Sequence, residues 1–336
     1  MKGPSFAIAA LVLLASPWSW AQAPQRPRQY HAALATIDGV RATLYRYVPA
    51  AGPSGRTILL LPDLGTSRHV FDLGGVGLAP FLQAAGWEVY VVEYRGAGRS
   101  EVPYGGYRLE DLLEGDAAAA FARAGLEHEK IALGGVGLGA TFALVLAARH
   151  PERVSSVVAL QPLIDPDQSS EPAAALLAQV EKAPAWIDLA LLSRAPLFGK
   201  RSWFEVLWAN DGSFDAEELN RLRLHVLAPV PRDAARQLAE AVRRRRLELG
   251  GVSVAGSIRG WQGPALLVFA PRDNLIHPEF ATPARDLLSR ERCQIHVLAP
   301  LSGARRDYGH LGMVLGQNAP GDVFAKVQRF LEEVSQ

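Results

Sequence analysis

Residues 131–141, Ile131-Ala132-Leu133-Gly134-Gly135-Val136-Gly137-Leu138-Gly139-Ala140-Thr141, read as a strand, a tight glycine turn and a helix. Gly135 and Gly139 are the small residues that such a turn requires where strand and helix backbones approach closely. The same residues satisfy G-x-G-x-x-[G/A], the spacing that seats a dinucleotide pyrophosphate on a helix N-terminus. That would imply a nicotinamide or flavin oxidoreductase. Two features oppose it: four strands precede the turn, and the next strand ends at Leu160-Gln161-Pro162, with no acid to hold a ribose hydroxyl. Cys293 is the only cysteine, which excludes an intrachain disulfide and a cysteine metal site. In the apolar run Cys293–Leu298 it reads as a small buried thiol. His69 and His277 flank the turn region and read as loop or buried histidines rather than metal ligands.

The elements that must position this turn alternate in type. His31–Ile37 and Val40–Val48 flank Asp38-Gly39, a hairpin signal. Thr57–Leu61 is a continuous apolar run, as expected of a parallel strand covered on both faces. A helical stretch ends at Gly86, and Trp87–Tyr94 reads as a strand. Arg108–Ala124 reads as a helix, Lys130–Leu133 as a strand, Leu138–Arg149 as a helix and Val154–Leu160 as a strand. From Pro162 to Gly263 the alternation lapses into a helical, Ala-, Leu- and Arg-rich stretch holding Trp186, Trp203 and Trp208. Order resumes with a strand at Ala265–Ala270, a helix at Pro278–Arg290, a strand at Gln294–Leu298 and a helix at Asp322–Val334. The pattern predicts a mostly parallel, doubly wound α/β sheet with an N-terminal antiparallel hairpin and a helical cap inserted at about 163–263. The three tryptophans read as the core of that cap rather than as a pocket lining.

Four segments in order resemble the α/β-hydrolase superfamily, in particular its bacterial lipase/esterase and polyhydroxyalkanoate-synthase-like members. The glycine turn stands where that superfamily carries G-x-S-x-G, which lifts a serine hydroxyl above the sheet. Here the frame is Gly135-Val136-Gly137-Leu138-Gly139, so Gly137 occupies the nucleophile position. Glu93-Tyr94-Arg95-Gly96-Ala97-Gly98-Arg99-Ser100 is similar to the family's D-x-R-G-x-G-x-S turn. Arg272-Asp273-Asn274 and Tyr308-Gly309-His310 match the segments that carry the triad acid and histidine, which implies those roles for Asp273 and His310. Leu61-Pro62-Asp63-Leu64-Gly65 matches the loop that usually reads H-G-x-G. The resemblance implies that the backbone N–H groups of Leu64 and Leu138 form the oxyanion hole. It spans about residues 40–335 and implies no metal and no organic cofactor.

Two departures bear on the chemistry. Glycine has no side chain to attack a carbonyl, so no acyl-enzyme can form at Gly137. Asp63 replaces a usual glycine, and a carboxylate facing the pocket would oppose the oxyanion that the hole exists to stabilise. As substitute nucleophiles, Thr141 falls one helical turn past Gly137 and should point into packing. Ser67 reads as a loop hydroxyl bonded to its own backbone. Water activated by His310 with Asp273 is the better substitute.

Composition narrows the partners. Lys2, the apolar run Phe6–Ala15 and Ala21-Gln22-Ala23 describe a signal peptide, with cleavage after Ala23 and a periplasmic or secreted product. The apolar run is shorter than the roughly 20 residues that a membrane span needs. Without residues 1–23, the chain keeps 34 Lys and Arg against 34 Asp and Glu, a balance with no basic field for nucleic acid. The Arg243–Arg246 cluster reads as a solvated helix face. Two functional readings follow. In the favoured one, residues 24–336 form a degenerate hydrolase or pseudoenzyme that holds a small apolar or acyl ligand under the cap. The alternative is an active esterase- or lipase-like hydrolase using water activated by His310 and Asp273 on an apolar ester. An oxidoreductase ranks third.

Overall fold

The computed structural model describes residues 28–164, 178–198, 201–276 and 281–335. The expected signal peptide and His277 lie outside them. Eight strands form one sheet: β1 (Arg28–Ala35), β2 (Arg41–Val48), β3 (Thr57–Leu61), β4 (Glu88–Glu93), β5 (Ile131–Val136), β6 (Val154–Leu160), β7 (Ala265–Phe269) and β8 (Cys293–Val297). Their order is β1-β2-β4-β3-β5-β6-β7-β8. The β1–β2 and β2–β4 pairings are antiparallel and all the others are parallel. The hairpin turns at Gly39, whose φ of 81° suits a residue without Cβ, and Thr36 closes it through the Val40 carbonyl.

Strand composition explains the layering. Successive side chains of β3 point to opposite faces, so Leu59 and Leu61 join one apolar core while Ile58 and Leu60 join the other. Helix α1 (Leu78–Ala84) covers the second face. Helices α2 (Ala118–Ala124) and α3 (Leu138–Arg149) cover the first. Every residue of α3 from Leu138 to Ala147 is buried, which matches its lack of a polar stripe.

The helix predicted over Arg108–Ala124 is interrupted by a π-turn at Leu112–Ala117. Asp116 lies in that turn and receives both the N–H and the Nε of Arg95, at 2.7 and 2.9 Å. The extra residue per turn thus coincides with a buried ion pair. Arg95 of the family-like turn is therefore a structural lock, as is Glu93, which accepts the Arg99 N–H. The predicted C-terminal helix likewise begins with a π-turn at Pro320–Phe324 before α4 (Ala325–Glu333).

Between β6 and β7 the described residues are less uniformly helical than expected. Helices at Trp203–Leu207, Ala216–His225, Arg232–Arg244 and Val254–Ile258 alternate with strand pairs only two or three residues long. This stretch packs on loops at the C-terminal ends of the parallel strands. Ser67 N–H donates to the Val226 carbonyl, Ala228 N–H to the Gly65 carbonyl, and Asn274 Nδ2 to the Val206 carbonyl. Trp203 and Trp208 are buried together with Phe204, whereas Trp186 is half-buried against Tyr107. Among the described residues no helix is long and apolar enough to cross a membrane.

Candidate active site

Gly137 sits between β5 and α3 with φ 57° and ψ −124°, a conformation that side chains of L-residues rarely adopt. The flanking glycines are required sterically. A Cβ on Gly139 would lie 2.1 Å from the Leu61 carbonyl oxygen, and one on Gly135 would lie 2.4 Å from the Gly139 carbonyl carbon. The turn therefore keeps the geometry that would present a central side chain above the sheet, without the side chain itself.

What occupies that space is Asp63, delivered from the loop after β3. Its Oδ1 accepts the N–H of Leu138 at 2.7 Å and that of Leu64 at 2.8 Å. These are the two donors expected to form the oxyanion hole, and the carboxylate fills it. A Cβ on Gly137 would fall 2.2 Å from the Asp63 Cγ and Oδ1. The two unusual residues of the sequence are thus one steric unit: Asp63 as seated occupies the space that a side chain at position 137 would need. Two of the N–H groups at this helix N-terminus are already engaged, Leu138 with Asp63 and Gly137 with the Leu160 carbonyl.

His310 joins Asp63 to Asp273. Its Nε2 is 3.0 Å from Asp63 Oδ2 and its Nδ1 is 2.6 Å from Asp273 Oδ2. The three side chains are buried, Asp63 retaining 8 % exposure and the other two 1 % each. Burial by itself would discharge the imidazole, but the flanking Asp273 and Asp63 carboxylates outweigh it and raise its pKa to about 10. The two carboxylates thus favour the imidazolium form, which donates from both nitrogens. Trp208 stacks on it, ring centroids 6.4 Å apart.

Asp273 is held by four donors. Besides His310, these are the N–H groups of Leu275 and Ile276, at 2.7 and 3.0 Å, and Gln161 Nε2, at 2.6 Å. Gln161 was not singled out by sequence. It follows β6 in a left-handed conformation, φ 51°, immediately before Pro162. That strained backbone is what turns its amide toward Asp273, and β-propensity along a strand gives no sign of it. Asp211 was also missed. Its Oδ2 accepts the Gly309 N–H at 2.8 Å and so fixes the loop that carries His310.

The other candidates lie apart from this chain of groups. Ser67 Oγ donates to the His225 carbonyl at 2.7 Å and accepts the His69 N–H, capping a short 3₁₀ turn. Thr141 is fully buried and donates to the Leu163 carbonyl. Cys293 begins β8 half-buried, its thiol raised to about 11 by burial. His69 bonds to the Asp72 carbonyl. Arg243 and Arg244 pair with Glu240, and Arg246 pairs with Glu248. Glu88, Glu127 and His128 are the one group among the described residues close enough to share a metal ion. Arg46 already bonds both of those carboxylates and supplies the positive charge that a cation would bring.

Comparison with known proteins agrees with this architecture. Residues 56–293 match the α/β hydrolase fold family. Among solved structures, a thermophilic esterase from Thermogutta terrifontis superposes with TM-score 0.63 at 19 % identity, over 91 % of this chain and 100 % of that one. The enol-lactonase from Burkholderia xenovorans gives 0.64 at 17 % identity, over 90 % and 100 %. A haloalkane dehalogenase from Agrobacterium tumefaciens gives 0.61 at 17 % identity, over 91 % and 97 %. These likenesses establish the fold, and with the match over well more than half of the sequence the chain belongs to the α/β-hydrolase fold family.

Proposed function

We propose that this is an exported α/β-hydrolase-fold protein without serine-hydrolase activity, holding a small apolar or acyl ligand under the segment between β6 and β7. The observation that carries the reading is the Asp63 carboxylate seated on the Leu64 and Leu138 N–H groups. In acyl transfer those donors must be free for the developing oxyanion, and losing even one costs about 10²–10³ in kcat. Here both already serve an anion, and the nucleophile is absent as well. Export rests on the leader at residues 1–23.

The second reading, water activated by His310, is favoured by the retained Asp273–His310 pair. It is opposed by the charge state of the imidazole. An imidazolium bonded at both nitrogens has no lone pair with which to take a proton from water.

Two assays test the proposal. The mature protein should hydrolyse p-nitrophenyl esters no faster than buffer and should resist a fluorophosphonate probe. Turnover above buffer that disappears in His310→Ala would refute it in favour of the second reading. For export, the protein recovered from the periplasmic fraction of expressing cells should begin at Pro24. An intact Met1 there would overturn that part.

A further inference from the structure

We propose that Glu88, Glu127 and His128 form a zinc site at the end of the sheet opposite Asp63. The site is independent of the glycine turn and of the function proposed for it. Its residues come from the starts of neighbouring elements. Thr57 begins β3 and Glu88 begins β4, and the two are paired in register. Glu127 and His128 close the 3₁₀ turn Gly125–Glu127 that leads into β5. Parallel packing of the strands thus gathers two carboxylates and an imidazole, with one ligand atom of each lying within 4.8 Å of the others.

The observation that points to an ion is the state of Glu88. Its side chain has no exposed surface, and a carboxylate buried to that degree is expected to satisfy both oxygens. Oε1 receives two donors, Arg46 Nε and, at 2.9 Å, the Tyr90 hydroxyl. Oε2 is buried and has no hydrogen-bond partner. It faces His128 Nε2 at 3.7 Å, beyond hydrogen-bond length. Two ligands of one tetrahedral zinc, each about 2.1 Å from it, stand about 3.4 Å apart. The two atoms are therefore spaced as ligands of one ion and not as a hydrogen-bonded pair.

The surroundings hold Glu88 in this orientation. Tyr90 lies two residues further along β4, on the same face, and Arg46 reaches across from β2. A carboxylate fixed through one oxygen so that the other can ligate is the usual outer support of a metal site. Arg46 adds positive charge to the group but leaves Glu88 Oε2 unsatisfied. On Glu127 it bonds Oε2, at 3.0 Å, while Oε1 has Arg123 at 3.7 Å. The Glu127 side chain is 48 % exposed, and ion pairs at such a surface rearrange at little cost. His128 Nε2 has Thr57 Oγ1 at 3.1 Å, a hydroxyl that can rotate away. One imidazole nitrogen and two carboxylate oxygens suit zinc, with water as the fourth ligand, whereas calcium and magnesium favour oxygen alone. Exposed Glu127 gives the ion its way in.

The test titrates zinc chloride into the untagged mature protein, stripped with EDTA and dialysed, and follows binding by calorimetry. One zinc per chain is expected, and His128→Gln should weaken its binding by more than about tenfold while leaving the circular dichroism unchanged. Glu88→Gln also breaks the Arg46 pair, so a second readout uses wild type alone. X-ray absorption of the zinc-loaded protein should show a first shell of nitrogen and oxygen at about 2.0–2.2 Å, including one imidazole. The anomalous peak in a zinc-soaked crystal should lie between Glu88 and His128. Absence of saturable binding, a peak elsewhere, or binding unchanged in His128→Gln would overturn the proposal. So would binding that is lost in His310→Gln, which would place the zinc at the other end of the sheet.

Discussion

Restoring the serine by Gly137→Ser alone should neither create an esterase nor leave the protein intact. The new Cβ would sit 2.2 Å from Asp63 Cγ, far inside contact, on backbone at φ 57°. The strained conformation costs a non-glycine residue about 1–3 kcal/mol. Forcing atoms into a filled space costs typically about 1–3 kcal/mol more. The expected loss is therefore roughly 2–6 kcal/mol, against a total stability of the order of 5–15 kcal/mol. Asp63→Gly alone leaves the buried His310 Nε2 without its partner while Asp273 stays in place, and should cost about 1–3 kcal/mol. In the double variant the overlap vanishes and only the backbone strain remains, so the two costs should fall short of additivity by about 1–3 kcal/mol. The same variant frees both hole donors and gives His310 a hydroxyl in place of a carboxylate. Urea unfolding of the four proteins measures the coupling, and a fluorophosphonate probe reads the chemistry. Labelling is expected in the double variant only. Strict additivity, or labelling of Gly137→Ser with Asp63 present, would refute the claim that the two residues form one steric unit.

Other expectations concern the same network. His310 should titrate near 10 by NMR, and replacing Asp63 by Asn should lower that value; titration between 6 and 7 in wild type would remove the imidazolium from the account. Because its folded pKa is raised above the unfolded 6.5, its stabilisation is complete below about pH 6.5 and is lost as pH rises through about 10. Unfolding free energy should accordingly slope downward across that window by up to about 1.4 kcal/mol per pH unit, and less steeply in Asp63→Asn. Gln161→Ala removes a donor to buried Asp273 and should cost about 1–3 kcal/mol in denaturant unfolding, more than any exposed glutamine. Gly139→Ala meets backbone rather than a movable side chain and should fail to yield folded protein, whereas Gly303→Ala, with nothing within 4 Å, should fold and lose only the modest cost of its φ of 84°; circular dichroism separates the two.

The mostly parallel sheet and its N-terminal hairpin were legible in the sequence because burial writes itself into strands, whereas the order of the strands was not. Ile58–Leu61 and Val157–Leu160 are unbroken apolar runs inside their strands, and the glycine spacing marked the turn at 137 while fitting two different chemistries. The departures from local regularity were not legible. The π-turn at Leu112–Ala117 and the left-handed Gln161 are imposed by partners distant in sequence, Arg95 and Asp273, and no periodicity announces them. Asp63 shows the division most sharply. Its presence beside Leu64 is a fact of sequence, and so is the missing side chain at Gly137, but the two lie 74 positions apart. That the carboxylate fills the hole, takes the place of the missing side chain and holds the imidazole charged depends on distances of about 3 Å across three loops. Those distances arise only when parallel strands bring their C-terminal ends to one edge of the sheet, so the chain order named the participants and tertiary packing alone determined what they do to one another.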